Sequence, residues 1–249
     1  MCELLGFSAE RPADIREQLR GFFSHSDKNP HGWGMKYGET IIKGACRASD
    51  SESLERVVSE LPEQTSLLAH IRYATVGSVR LENCHPFSGT DITGREWTLI
   101  HNGTIYSGSR LIHLLDRQRG DTDSERLFLY LIEYMNRAQR QGPLGAGERF
   151  ELIDELIRDI APRNKLNLMI SDGELLYIHK NMKDTMKYRR LAGGMIFATS
   201  PVDDDEWQDV PTAKVIACRN GSIVFEGKPH EGIFVPNLQY IKAMDAMNI

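Results

Sequence analysis

Apolar and polar residues follow two different periods along this chain, and the switches between them mark out its elements. Residues 2–8, CELLGFS, read as a short apolar strand. RPADIREQLRGFF, residues 11–23, predicts a helix with Pro12 in its first turn and Ile15, Leu19, Phe22 and Phe23 on one face. The polar stretch SHSDKNPH leads into a strand at GWGMKYGE, and TIIKGACRA reads as its hairpin partner. SDSESLERVVSEL predicts an amphipathic helix opened by serines and acids. TSLLAHIRYATVG and REWTLIHNGTIYSG share one design, a strand running into a polar, Gly-containing corner.

Three helices are expected next. SGSRLIHLLDRQ, TDSERLFLYLIEYMNRAQ and GERFELIDELIRDIA each read as a helix, the second apolar on more than one face and expected to be sandwiched. KLNLMISDGELLYIHKN has the form of a hairpin around Asp172-Gly173, and MIFATS and KVIACRNGSIVFEGK supply three further strands. With no internal repeat and no Pro/Gly/Ser-rich linker, one α+β domain over residues 1–249 is the expected organisation.

Composition narrows the function classes. A 249-residue chain that is 41% hydrophobic can bury a proper core. Its 30 basic residues are scattered among 35 acidic ones, for a net charge of -5, which argues against nucleic acid as a partner. No apolar run approaches the roughly 18 residues of a membrane span, and no signal-like start is present, so no membrane partner and a cytoplasmic location are expected. The four cysteines, at 2, 46, 84 and 218, contain no C-x-x-C pair, so neither a disulfide framework nor a structural zinc site is expected. His70, Cys84, His85 and His101 lack metal-ligand spacing, and GPLGAG at 142–147 lacks the Lys-Ser/Thr end of a phosphate loop. No metal or cofactor is expected, and GPLGAG reads as a helix–helix connection.

Four positions carry candidate chemistry. Cys2 directly follows Met1, a residue that is removed when its neighbour is small, which would leave a thiol and a free α-amine on one residue. Asn102-Gly103 ends a strand, where a side-chain N–H and an unobstructed backbone N–H can converge on a developing negative charge, although Asn-Gly is also a common tight turn. Arg72 lies where a strand gives way to a turn and could fork onto a carboxylate, or cap the sheet edge, or pair with an acid. His70 two residues earlier reads as a hydrogen-bonded core histidine. Thr122 and Glu125 match a capping box, which puts Asp123 at the first helical position, as a helix-dipole partner or as a cleft carboxylate for an ammonium.

Cys2, AHIRYATVG, HNGTI and DSE, in this order and at these separations, resemble the class II glutamine amidotransferases of the N-terminal-nucleophile superfamily. AHIRYATVGSVRLENCHPF and TSPVDDDEW are similar to the stand-alone branch that includes the γ-glutamyl hydrolase of ergothioneine biosynthesis, and the likeness runs from Cys2 to about Val210. The resemblance implies a four-layer αββα sandwich, two antiparallel sheets between helical layers. It implies Cys2 as nucleophile, Asn102 and Gly103 as the oxyanion hole, Arg72, Tyr73 and Thr75 around the substrate α-carboxylate, and Asp123 as receiver of its α-ammonium. The implied activity is hydrolysis of glutamine or another γ-glutamyl amide, or transfer of its ammonia to a separate synthase, with a non-catalytic ligand-binding homologue as the alternative. Two positions depart from the family pattern: His31 stands in the loop before GWG where an acid is common, and Val76 where synthase-type domains often have His.

Overall fold

The computed structural model describes residues 2–236 of the chain. Met1 and residues 237–249 lie outside the described residues, and so does that part of the expected 1–249 domain. The strands in chain order are β1 (Glu3–Ala13), β2 (Trp33–Tyr37), β3 (Thr40–Gly44), β4 (Gln64–Ile71), β5 (Phe87–Thr90), β6 (Glu96–Thr104), β7 (Lys165–Ser171), β8 (Leu176–His179), β9 (Lys187–Leu191), β10 (Gly194–Ala198), β11 (Gln208–Asp209), β12 (Ile216–Arg219) and β13 (Ser222–Glu226). The α-helices are α1 (Arg16–Ser24), α2 (Glu52–Glu60), α3 (Asp123–Ala138) and α4 (Ala146–Ile160).

The strands form two antiparallel sheets, one ordered β11-β9-β10-β1-β4-β2-β3 and the other β13-β12-β8-β7-β6-β5. Side chains on a strand point alternately to opposite faces, and that alternation sorts the apolar residues into three layers of core. Leu4, Leu68, Ile100, Met169, Ile178 and Phe197 meet between the sheets. Leu5, Phe7, Leu67 and Ala69, one position along, pack outward against Leu19 and Phe22 of α1 and Leu54 and Val58 of α2. Trp97, Leu99, Leu168 and Ile170 pack outward on the other side against Leu127 and Leu131 of α3 and Ile153 and Ile157 of α4. The architecture is thus the four-layer αββα sandwich that the resemblance implies.

Several boundaries differ from the sequence reading. β1 continues through Ala13 instead of yielding to a helix at residue 11. Its register on β4 shifts between Ser8 and Ala13, and Pro12 falls inside that shift, where no ladder N–H is required of it. The helix therefore starts at Arg16, whose backbone N–H donates to Asp14 Oδ1 at 3.0 Å. Residues 109–117 are a 3-10 helix instead of an α-helix. At three residues per turn, Leu111 and Leu114 share the buried face while Ile112 and Leu115 are exposed. This segment covers one side of α3 and the six-stranded sheet covers the other, so α3 is sandwiched as its pattern predicts. The Asp172-Gly173 hairpin forms as expected, with Ser171 opposite Leu176. β5, β9 and β11 had no counterpart in the sequence reading. All three are short; β5 and β11 are sheet margins, and β9 lies between β11 and its hairpin partner β10.

Candidate active site

The site lies where the first residues of β1 meet the last residues of β4 and β6. Glu3 pairs with Ile71 in the β1–β4 ladder, which carries Cys2 alongside the Arg72-Tyr73 corner. Cys2 is half-buried. Its Sγ accepts the Tyr73 backbone N–H at 3.2 Å and, as a thiol, donates to the Tyr73 carbonyl at 3.3 Å. Burial pushes the thiol pKa up, while the Tyr73 N–H and the charges of Arg72 and Lys165 act to lower it. The residue after the next is clasped on both backbone groups by Thr199: Leu4 N donates to Thr199 Oγ1 and Thr199 N donates to Leu4 O, each at 3.0 Å.

Asn102 reaches Cys2 from the other sheet. It is 5% exposed, and its Nδ2 donates to the Cys2 carbonyl at 2.5 Å, a contact between residues 100 apart in the chain. Lys165 Nζ donates to Asn102 Oδ1 at 3.1 Å. The β6–β7 register explains that bond. Asn102 lies opposite Asn167 and Thr104 opposite Lys165, so Asn102 and Lys165 are diagonal neighbours on one face, a separation a long side chain can span. Gly103 is required by close packing, because a Cβ there would overlap the Lys165 carbonyl oxygen and His101 Nε2 and lie 2.8 Å from the Lys165 carbonyl carbon. On the outward face His101 joins Ser124 Oγ at 3.0 Å and the Lys165 carbonyl at 3.2 Å, tying the start of α3 to this corner.

Arg72 is buried, and among the described residues it pairs with no acid. Its guanidinium donates to three carbonyls of one turn: Nη1 to Ser78 at 3.0 Å, Nη2 to Val76 at 3.0 Å and to Gly77 at 3.1 Å. Gly77 takes φ +79°, a left-handed conformation that a side chain disfavours. Asp121 holds the same turn from outside, accepting the Ser78 N–H at 3.3 Å and the Ser78 hydroxyl at 3.1 Å, and it also accepts from Asn83 Nδ2. Tyr73 and Thr75 stand exposed on this corner, Tyr73 at 41%. His31, at the position that departs from the family pattern, accepts the Ala74 N–H on Nδ1 at 2.9 Å and packs its ring against Tyr73 at 5.2 Å. It therefore buttresses the backbone of the corner. Burial, followed by the Arg72 charge, lowers its pKa.

Asp123 opens α3, as the capping-box reading expects. As the first residue of α3 it accepts the Ser124 N–H at 2.9 Å, and its other oxygen accepts the Ile105 N–H at 2.7 Å. It also lines a cleft of about 450 Å³ with Ile105, Tyr106, Ser107, Leu111 and Arg126. The expected capping box is half made. Thr122 Oγ1 accepts the Glu125 N–H at 3.2 Å, but the Glu125 carboxylate turns to the Arg119 and Gly120 N–H groups, both at 2.7 Å.

His70 is a core histidine, with Nε2 3.3 Å from the His101 carbonyl and its ring tilted against that of His85 at 4.1 Å between centroids. Cys84 donates to the Gly44 and Arg80 carbonyls. Among the described residues no three His, Cys, Asp or Glu side chains converge as metal ligands. Sequence reasoning passed over Lys165, Asn83 and Asp121. A Lys opening a buried strand, KLNLMIS, was the signal available for the first of them.

Comparison with known proteins places this geometry in a family. The sequence profile of the class II glutamine amidotransferases matches residues 1–193, and the chain belongs to that family, a class of enzymes. It is similar to YafJ, a glutamine amidotransferase-type protein of Escherichia coli strain K12, with 34% identity over 183 residues that cover 70% of each chain. It is 26% identical over 200 residues to the γ-glutamyl-hercynylcysteine sulfoxide hydrolase of Mycobacterium tuberculosis, covering 77% of this chain and 76% of that one. A crystal structure of a glutamine amidotransferase-type protein from Pseudomonas aeruginosa shares the fold at a TM-score of 0.64 and 21% identity, over 90% of this chain and all of the other. The TSPVDDDEW segment lies beyond the matched profile, and its Thr199 is the residue that clasps Leu4. Among the described residues no helix is long and apolar enough to cross a membrane.

Proposed function

We propose that the chain, acting as one amidotransferase domain, hydrolyses the γ-amide of glutamine or of another γ-glutamyl compound through a thioester on Cys2. The observation that carries this reading is the convergence of Cys2, Asn102 and Gly103 from opposite sheets, joined by the Asn102–Cys2 hydrogen bond. With Met1 removed, the α-amine of Cys2 is the base, because its ordinary pKa of about 7.7–8 lies close to the thiol's value of about 8.5. The thiolate attacks the γ-carbonyl, and the tetrahedral oxyanion is received by an Asn102 Nδ2–H and the Gly103 N–H. Collapse expels ammonia or an amine, which takes the proton held by the α-amine, and water then releases glutamate from the thioester.

Arg72 serves the α-carboxylate in this reading, together with the Tyr73-to-Thr75 backbone. Three guanidinium donors hold the 76–78 turn, which leaves the fork fixed in orientation and its remaining N–H groups for the substrate. Asp123 receives the α-ammonium in this reading, as the family resemblance implies. The similarity to a γ-glutamyl hydrolase supports hydrolysis as the outcome of the thioester. Met-free protein is assayed for glutamate release from glutamine and a panel of γ-glutamyl amines. Cys2→Ser should abolish release while preserving the fold, since a hydroxyl is nearly isosteric with the thiol but far less acidic. Wild-type release by Cys2→Ser refutes the mechanism.

A further inference from the structure

Lys165 is a buried cation placed between the two parts of the proposed machinery. It is 6% exposed, and its ammonium donates to the amide oxygen of Asn102, whose amide nitrogen donates to Cys2. The bond from Lys165 fixes which end of the Asn102 amide faces the nucleophile, since an ammonium can only donate and so must meet the oxygen. Its backbone carbonyl is the group that Gly103 packs against and that His101 binds. Both ends of this one residue therefore touch the Asn102-Gly103 corner. Burying an ammonium is costly and an apolar residue of similar length would fill the space, so a packing role alone does not account for lysine here.

Resting on the amidase reading above, we propose that Lys165 is a positioning residue that orients the Asn102 amide toward the oxyanion and whose positive charge favours the Cys2 thiolate. In the Met-free protein the thiol has its own α-amine beside it, and among the described residues the charged groups that act on it from neighbouring elements are Arg72 at the end of β4 and Lys165 on β7. His101 lies on the outward face of β6, where burial favours its neutral form, with the Asp123 carboxylate beside it. Burial brings the Lys165 ammonium down to about 8, with the Cys2 thiolate acting in the opposite direction, so below that pH the cation is present to favour thiolate formation. As pH rises through 8 the support is withdrawn, and the thiol and ammonium titrate as a coupled pair.

The test uses Met-free protein carrying Cys46→Ser, which removes the exposed thiol while Cys84 and Cys218 stay buried. Cys2 is alkylated with iodoacetamide across about pH 5.5–9.5, in the Lys165 parent, in Lys165→Met and in Lys165→Arg. Lys165→Met should move the alkylation midpoint up by about one pH unit and slow reaction at pH 7 about tenfold. Lys165→Arg should recover most of the loss, and Lys165→Met should lower kcat for glutamine with KM little changed. An unshifted midpoint in Lys165→Met overturns the proposal, as does an equal shift in Lys165→Arg, which would trace the effect to shape and not to charge. If Lys165→Met does not fold, Lys165→Gln is read by the same criteria. Alkylation needs no substrate, so the two readings fail separately. A shifted midpoint in a protein that releases no glutamate from the panel refutes the amidase reading alone, and an unshifted midpoint in an active enzyme refutes the lysine's role alone.

Discussion

Replacing Gly103 by alanine tests the close packing of the corner more sharply than any loss of a side chain would. The added methyl would occupy the position of the Lys165 carbonyl oxygen, and the carbonyl carbon 2.8 Å away leaves no room on the same side. The obstacle is backbone of β7, paired with β6 through Gly103 and Leu166, so no flexible side chain can swing aside. Overpacking of this kind costs about 1–3 kcal/mol, and weakening one ladder hydrogen bond adds about 1 kcal/mol. For a chain of this length a loss of about 3 kcal/mol lowers Tm by roughly 6–12 °C. The functional loss should be larger than the stability loss. A displacement of about 1 Å at Gly103 carries Asn102 and Lys165 with it, and misplacement on that scale costs about 10² in rate. Calorimetry gives the first number, and glutamate release well below the variant's Tm gives the second. A Gly103→Ala protein with wild-type Tm and wild-type turnover would show that the corner tolerates the methyl and that its geometry does not matter to the reaction.

Asn102→Ala should lower kcat by about 10²–10³ with KM little moved, and a loss confined to KM would make Asn102 a binding residue. Wild-type enzyme should turn over N-acetylglutamine at least tens-fold more slowly than glutamine, because an unpaired carboxylate in the cleft costs about 2–5 kcal/mol, and Asp123→Asn should narrow the gap. Equal wild-type rates on the two compounds would leave Asp123 with its helix-capping bonds alone. Acid should destabilise the fold through its buried imidazoles: burial holds His70 and His179 at about 3 and His85 well below its ordinary value. Above about pH 6.5 these groups are neutral folded or unfolded. Below it only the unfolded chain takes up their protons, so each removes about 1.4 kcal/mol per pH unit, or roughly 2 kcal/mol by pH 5. His25, raised by its bond to Glu3 at 2.9 Å, acts in the opposite sense, stabilising below about 6.5 and losing that effect as pH rises through its folded value, but a partly exposed pair contributes under about 1 kcal/mol. A Tm that stays flat between pH 7.5 and 5 would contradict this account.

Local chemistry was enough to reveal the interior of the fold and the main candidates in the site. The alternation of Leu67 to Ile71 and of Trp97 to Asn102 sets which side chains enter the core between the sheets and which meet the helices, because the two-residue period of a strand is a local property. Thr122 marked the start of α3 and accepts the N–H group that a cap accepts, and of the serines opening the α2 segment Ser51 does the same. Cys2, Arg72, Asn102, Gly103 and Asp123 stood out because each lies at an element end with reactive or polar chemistry and because their order follows the family's. What the sequence left open depends on partners brought from far along the chain. β1 runs past Pro12 because its register shifts there, and β5 and β11 exist as margins of sheets whose centres lie elsewhere. Arg72 could have met an acid or a sheet edge, but the turn at 76–78 folds its carbonyls onto the guanidinium. Lys165 became part of the site through the β6–β7 register alone, since a shift of one residue would have turned its side chain to the opposite face, away from Asn102.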